Sequence, residues 1–359
     1  MAHQSLYRTH RPATFADVIG QEQVTRPLEE AAKSGKIGHA YLFAGSRGLG
    51  KTSVARIFAK EIGCNERDLV EVDAASNNSV DSIRELTDGV YTLPFQSPYK
   101  VYILDEVHML SKGAWNAFLK TLEEPPAHVV FILATTELEK VPETVQSRCQ
   151  VFEFKKPTRA VLAKMVEHVA KKEGCALESD AAELIAMLAE GSYRDALSVL
   201  QKVMVDEHDL ASDFDYSQPK TLSRIDVERW TGAPRREQVH ALIGALAKGE
   251  RGEALVAIES AATSGADMKL FLELVLSALR AVLLMQYAPE LREKIALELG
   301  ADEFASLEKI TPHPNVGFTK SHITHATLLA FLTAADRMRY APIKQLPLEL
   351  AVLELFPEA

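Results

Sequence analysis

Gly45-Ser46-Arg47-Gly48-Leu49-Gly50-Lys51-Thr52 carries the pattern G-x-x-x-x-G-K-[ST] at every fixed position. The pattern alone is short enough to arise by chance, so its flanks decide. The run 39–44 before it is apolar and of strand length. After it Val54, Phe58 and Ile62 recur four apart, on one helical face. Strand, glycine loop and helix is the arrangement that phosphate binding requires. Loop N–H groups and the helix N-terminus surround the oxygens. Gly45, Ser46, Arg47, Gly48, Leu49 and Gly50 would supply the cradle. Lys51 would reach the β- and γ-phosphates, Thr52 would offer its hydroxyl to Mg²⁺, and Ser53 continues the contact stretch. A glycine-rich turn without a ligand is the plain alternative, and the flanks argue against it.

Working outward, apolar segments at 39–44, 69–73, 101–104, 129–134 and 151–154 alternate with helical stretches. That alternation predicts an α/β parallel sheet. One helix is expected after Ser111, with Trp115, Phe118, Leu119 and Leu122 inward and an end at Pro125-Pro126. Beyond Pro157 strands are expected to cease. Helices are predicted over 158–172, 180–190 and 193–205, the last capped by Ser192. Residues 206–224 read as a linker. Apolar stripes at 239–247, 254–262, 270–287, 326–338 and 346–356 then predict an all-helical remainder, without an internal repeat of 20–50 residues. The expected division is an α/β nucleotide domain at 1–157, a small helical domain at 158–222 and a helical domain at 223–359.

Bulk properties narrow the class. The chain has 359 residues, more than one ordinary core, and 47% hydrophobic content. Its net charge of −10 argues against nonspecific coating of nucleic acid, while leaving room for a local basic surface. The first twelve residues are polar and basic, unlike a signal peptide. The stretch 270–287 is interrupted by Glu273 and Arg280 and reads as a buried helix rather than a membrane span. Cys64, Cys149 and Cys175 suit neither a disulfide framework nor a zinc quartet. A cytoplasmic, reducing location with no membrane partner is the expectation.

A second half-site follows at Val101-Tyr102-Ile103-Leu104-Asp105-Glu106. Ligands of open parallel sheets bind at the carboxyl ends of strands, where Asp105 would arrive. Asp105 would hold Mg²⁺, and Glu106 would activate the attacking water. Two surface acids at a strand end is the competing reading, weakened by the intact phosphate loop. Thr135-Thr136 end the next strand, where a hydroxyl can meet a phosphate or where threonine merely favours β structure. Arg148 suits a phosphate in its own subunit or a neighbour's, and equally a surface ion pair. Arg194 lies in the first turn of a helix, against the dipole, and a bound phosphate would account for it.

These motifs together resemble the ATPases of the AAA+ class, and within it the bacterial clamp-loader gamma/tau family. The resemblance is carried by Tyr7-Arg8-Thr9-His10-Arg11-Pro12, by Val18-Ile19-Gly20-Gln21 and by the loop itself. Val72-Asp73-Ala74-Ala75-Ser76, Asp105-Glu106-Val107-His108-Met109-Leu110-Ser111, Leu122-Glu123-Glu124-Pro125-Pro126, Ser147-Arg148-Cys149 and Gly191-Ser192-Tyr193-Arg194-Asp195 continue it in order. It is strong over 4 to about 205 and beyond that rests on helical character and length.

The resemblance implies a parallel-sheet AAA+ domain, a helical lid and a helical collar through which a ring assembles. It implies ATP as the nucleotide and an adenine-binding segment containing Tyr7, Arg11, Pro12, Val18 and Ile19. It implies Thr136 as a γ-phosphate sensor, Arg148 as an arginine finger acting on the adjacent subunit's ATP, and Arg194 as a second sensor on the lid. Arg84 would face DNA, and the helix 111–122 would touch the sliding clamp. The implied partners are delta, delta-prime and further gamma/tau subunits, the clamp and primer–template DNA.

Two departures stand out. Relatives usually carry a four-cysteine zinc module between the first loop helix and the next strand. Here Cys64-Asn65-Glu66-Arg67 runs directly into Asp68-Leu69, so no zinc is expected. Tau-type chains continue into domains for helicase and polymerase, and the expectation from this sequence is clamp loading without that tethering. A non-catalytic scaffold like delta-prime would carry a damaged phosphate loop. A branch-migration helicase would carry a basic winged-helix tail.

Overall fold

The computed structural model describes residues 5–208, 221–299, 301–310 and 322–356. Residues cluster into two compact units, Met1–Leu162 with Met187–Ser198, and Ala163–Ala186 with Val199–Ala359.

The first unit opens with α1 (Leu6–Thr9) and α2 (Glu22–Ser34), then alternates β1 (Ala40–Ala44), α3 (Lys51–Glu61), β2 (Leu69–Asp73), α4 (Val80–Val90), β3 (Lys100–Asp105), α5 (Lys112–Glu123), β4 (Val129–Thr135), α6 (Glu143–Gln146) and β5 (Gln150–Glu153). All five strands are parallel, in the order β2-β3-β4-β1-β5. β1 and β4 are buried along their whole length, as continuous apolar strands covered on both faces must be.

Successive residues point to opposite faces, so one strand feeds two cores. Tyr41, Phe43, Ile103 and Ile132 pack with Val54 and Phe58 of α3. Leu42, Leu104, Phe131 and Leu133 pack with Ile83 of α4 and with Trp115, Phe118 and Leu122 of α5. The spacing of Val54, Phe58 and Ile62 therefore marks a buried face, and all three are at most 6% exposed. Leu119 is only half-buried, at the margin of its cluster. Ser111 caps α5 by accepting from the Ala114 N–H at 3.2 Å.

In order along the chain come α7 (Arg159–Lys172), β6 (Ala176–Leu177), α8 (Ser179–Leu188), α9 (Tyr193–His208) and β7 (Thr221–Leu222). The expectation that strands cease after Pro157 is corrected: β6 and β7 form a two-residue parallel ladder. Segments that short carry no alternation to read. The expected linker is also narrower at both ends, because α9 runs to His208 and α10 (Arg224–Thr231) begins inside it. Its middle, 209–220, lies outside the described residues.

The remainder holds α11 (Arg236–Lys248), α12 (Arg251–Thr263), α13 (Met268–Tyr287), α14 (Arg292–Leu299), α15 (Ala301–Ile310), α16 (His325–Met338) and α17 (Leu346–Leu355). Asp267 caps α13 by accepting from Lys269 N and Leu270 N. Phe271, Leu279 and Val282 of that helix meet Phe331 of α16 and Leu348 and Val352 of α17 in one cluster. Among the described residues no helix is long and apolar enough to cross a membrane.

Candidate active site

The parallel order brings three carboxyl ends side by side: β1 feeding the glycine loop, β3 ending at Asp105 and β4 ending at Thr135. The loop turns through glycine conformations. Gly48 has φ +76°, and a Cβ there would clash with Ser192 Oγ. Gly45 has φ +144°, and a Cβ would come within 2.7 Å of the Phe154 carbonyl oxygen. The sequence after Gly50 turns into α3 at once, so Lys51 is its first residue.

Lys51 is buried, and its ammonium donates to the Gly45 and Ser46 carbonyls at 2.7 and 3.0 Å. Desolvation lowers its pKa, opposed by the negative charges of Glu106 and Asp105. A buried ammonium satisfied only by its own loop's carbonyls, at a helix N-terminus, suits an incoming phosphate. Thr52 Oγ1 donates to Asp105 Oδ2 at 2.8 Å. This hydroxyl–carboxylate pair is an all-oxygen donor set of the kind Mg²⁺ takes. Leu49 and Ser53 are buried under the loop, while Ser46 and Arg47 face solvent.

Glu106 is one of two non-glycine residues with positive φ among those described, at φ 50° and ψ 45°. That conformation costs about 1–2 kcal/mol and is retained where surroundings fix it. Here Thr136 fixes it, donating from its backbone N at 3.2 Å and its hydroxyl at 3.0 Å to Glu106 Oε2. The Glu106 backbone N donates to Asp105 Oδ1 at 3.0 Å. Lys51, Thr52, Asp105, Glu106 and Thr136 thus belong to one constellation.

The N-terminal segment meets the start of α9. The Arg194 guanidinium lies over the Tyr7 ring, 4.6 Å from its centroid, and also reaches the Tyr7 hydroxyl at 3.4 Å. Hydrogen bonds from Ser5, Arg194 and Arg8 pull the Tyr7 pKa down to about 8. Desolvation lowers the Arg11 pKa, and the charges of Arg56, Arg194 and Arg8 lower it further against Glu71. Four guanidiniums with one nearby carboxylate form a region suited to an anion. Val18 packs against the core, Ile19 is exposed, and Pro12 is half-buried. Ser192 Oγ accepts from Asp195 N at 3.2 Å, capping α9. The Tyr193 hydroxyl donates to the Ile19 carbonyl at 2.5 Å, and the Tyr193 N–H donates to the Gly48 carbonyl at 3.1 Å.

Two expected site residues lie apart from this constellation. Arg148 donates to Glu123 Oε1 at 2.6 Å and to the Thr144 carbonyl at 2.5 Å. Arg84 is exposed and 3.4 Å from Asp81, in the first turns of α4. Sequence reasoning gave no role to Tyr193, which ties Ile19 to the loop, nor to His108 and Glu137, which border Glu106. The left-handed backbone at Glu106 left no mark in the residue types.

Three family models match the chain. One described as DNA polymerase III, delta subunit covers 20–78 and 68–158. One described as DNA polymerase III clamp loader subunit, ATPase lid domain, covers 162–204. One described as DNA polymerase III subunits gamma and tau domain III covers 222–357. DNA polymerase III subunit tau of Bacillus subtilis is 39% identical over 334 residues, 87% of this chain and 57% of that protein. The Escherichia coli subunit tau is 36% identical over 378 residues, 98% and 55% respectively. The chain therefore spans somewhat more than half the length of these relatives. Among solved structures, the Thermotoga maritima RuvB Holliday junction branch migration motor aligns with a TM-score of 0.51 and 21% identity, covering 72% of this chain and 86% of that one. At that identity the likeness concerns the fold, which is AAA+. Family models spread over the length of the chain, with relatives at 36–39% identity over most of it, lead to one conclusion: the chain belongs to the DNA polymerase III gamma/tau family of clamp-loader subunits.

Proposed function

We propose that this chain is an ATP-hydrolysing motor subunit of a clamp loader, in which ATP binding and hydrolysis drive a sliding clamp onto primer–template DNA. The observation that carries the reading is the undamaged constellation of Lys51, Thr52, Asp105, Glu106 and Thr136 at adjacent strand ends. A scaffold subunit has no use for a complete set.

The loop from Gly45 to Ser53 holds the phosphates, with Lys51 leaving its loop carbonyls for phosphate oxygens. Thr52 and Asp105 are the residues that would hold Mg²⁺, which when bound neutralises phosphate charge. Glu106 orients the attacking water and takes its proton. Thr136 steadies Glu106 and, with a shift of its hydroxyl, reads the γ-phosphate. Tyr7, Arg11, Pro12, Val18 and Ile19 border the base and sugar. Arg194 reports nucleotide from the start of α9.

Arg148 acts in trans. Its present partners Glu123 and Thr144 are exposed neighbours that a phosphate can outcompete, since solvated ion pairs contribute little. Arg84 faces DNA, and α5 meets the clamp. In this reading residues 1–157 are the nucleotide domain, 158–222 the lid and 223–359 the collar. The other copies, delta and delta-prime complete the ring, in the cytoplasm.

The test is Glu106→Gln in the assembled loader. Nucleotide binding and clamp capture should persist while hydrolysis falls by about 10²-fold or more. Hydrolysis at the original rate would refute the motor assignment for this site.

A further inference from the structure

His108 sits three residues beyond Asp105, in the turn that follows β3, and its side chain is 8% exposed. No part of the chemistry above uses it. Its Nδ1 lies 3.4 Å from Glu106 Oε2 and 3.2 Å from Thr135 Oγ1. Its Nε2 lies 3.2 Å from Glu137 Oε1. Glu137 in turn pairs with Lys140 at 2.7 Å.

The donors and acceptors around the ring can be apportioned. Carboxylates only accept. The Thr135 hydroxyl donates to the Glu137 carbonyl at 3.2 Å and accepts from the Glu137 N–H at 3.0 Å. Both ring nitrogens therefore look onto oxygen acceptors. The ring's hydrogen bond is that of Nδ1 with Thr135 Oγ1, while Glu106 Oε2 and Glu137 Oε1 lie within ion-pair distance of Nδ1 and Nε2.

Glu106 Oε2 thus accepts from Thr136 and has the imidazole Nδ1 3.4 Å away. The backbone beneath it is in a conformation that its residue type disfavours. A carboxylate on such a backbone keeps its aim only if its neighbours hold it.

We propose that His108 is a positioning residue for the hydrolytic carboxylate: with Nδ1 bonded to Thr135 and 3.4 Å from Glu106 Oε2, the ring limits the Glu106 side chain to the orientation that accepts the water proton, while Nε2 lies beside Glu137. The proposal rests on Glu106 being the base. It adds a connection, because Glu137 begins the segment whose turn, at Leu138 and Val141, accepts hydrogen bonds from Gln146 of α6, two residues before Arg148. The segment beginning at Glu137 thus lies between the neighbour of one subunit's base and the stem of its arginine.

The experiment uses the assembled loader with the full chain and compares His108→Ala, His108→Asn and His108→Gln, each with and without Glu106→Gln. The readouts are kcat and KM for ATP, affinity for a fluorescent ATP analogue, and melting temperature. His108→Ala should lower kcat about tenfold or more, with nucleotide affinity within about twofold of the original. His108→Asn should recover part of the loss, because its amide nitrogen occupies the Nδ1 position that faces Glu106. His108→Gln, whose amide reaches toward Glu137, should recover less. On the Glu106→Gln background, His108→Ala should cost nothing further.

Unchanged kcat in all three variants overturns the proposal, as does fuller rescue by Gln than by Asn. An equal loss in all three with a lowered melting temperature means packing alone, and overturns it too. If Glu106→Gln itself hydrolyses normally, the reading of Glu106 falls and this role falls with it. If Glu106→Gln is inactive while His108→Ala is normal, only the role of His108 falls.

Discussion

Lys51 and Arg148 make opposite use of their charge, and each carries a prediction at the scale of a single residue. Lys51 is buried, with its ammonium spent on two loop carbonyls. Lys51→Ala removes the one buried cation at the loop and should weaken ATP binding by about 10- to 100-fold, read as the affinity for a fluorescent analogue. Unchanged affinity would count against phosphate binding there. Arg148 spends its charge on Glu123 and the Thr144 carbonyl at the surface. Arg148→Ala should leave ATP binding by the isolated chain intact and cut DNA-stimulated turnover of the assembled loader by about 10³-fold. Normal turnover in that assembly would remove the trans role. The sequence made Lys51, Thr52 and Asp105 legible because fixed spacings place the first two at the start of a helix and the third at a strand end. It could not show that Glu106 lies left-handed, or that Thr136 rather than Thr135 meets it. Those facts depend on backbone angles and on where the chain turns after β4 ends at Thr135.

At the scale of elements, the passage from α3 to β2 runs through a turn at Ile62 and Gly63 and a short 3-10 helix, Glu66–Asp68, held from outside. Buried Asp68 accepts from the backbone N–H groups of Phe95, Gln96 and Ser97, at 2.5, 3.1 and 3.0 Å. Asn65 adds contacts to Ser97 and Gln96. These N–H bonds, Phe95 foremost, bring the Asp68 pKa down to about 2 against its burial. A carboxylate with a depressed folded pKa stabilises above its unfolded value of 3.8 and loses that contribution as pH falls toward 2. Asp68→Asn should therefore lower the melting temperature by a few degrees at pH 7 and flatten its fall between about pH 5 and 2. The same acid limb in both proteins would contradict this anchoring. The strands and α3 could be read ahead because their apolar periods are long. The β6–β7 ladder could not, because two residues have no period. Helices α10, α14 and α15 went unmarked individually because they are short, ten residues or fewer, and tertiary packing supplies what pattern does not.

At the scale of the molecule, the first unit gathers all the proposed nucleotide-binding groups, and Ser192, Tyr193 and Arg194 join it through the return of the chain over Met187–Ser198. That return is how a motif some 140 residues beyond the loop comes to cap it, and sequence order alone gave no hint of the contact between Tyr193 and Ile19. Among its described residues the second unit is helical apart from the short β6–β7 ladder, with α11 to α17 around one large apolar cluster, and it contains none of the proposed catalytic groups. A net charge of −10 argues against a grip on DNA by bulk electrostatics, so stimulation by DNA should require the organised complex. The most direct measurement is steady-state ATP hydrolysis by the reconstituted loader, with neither, either or both of the sliding clamp and primer–template DNA. Hydrolysis should be slow in the isolated chain and rise strongly in the loader only when clamp and primer–template are present together. Slow hydrolysis that ignores both ligands, in a loader verified as assembled and nucleotide-bound, would contradict the motor assignment.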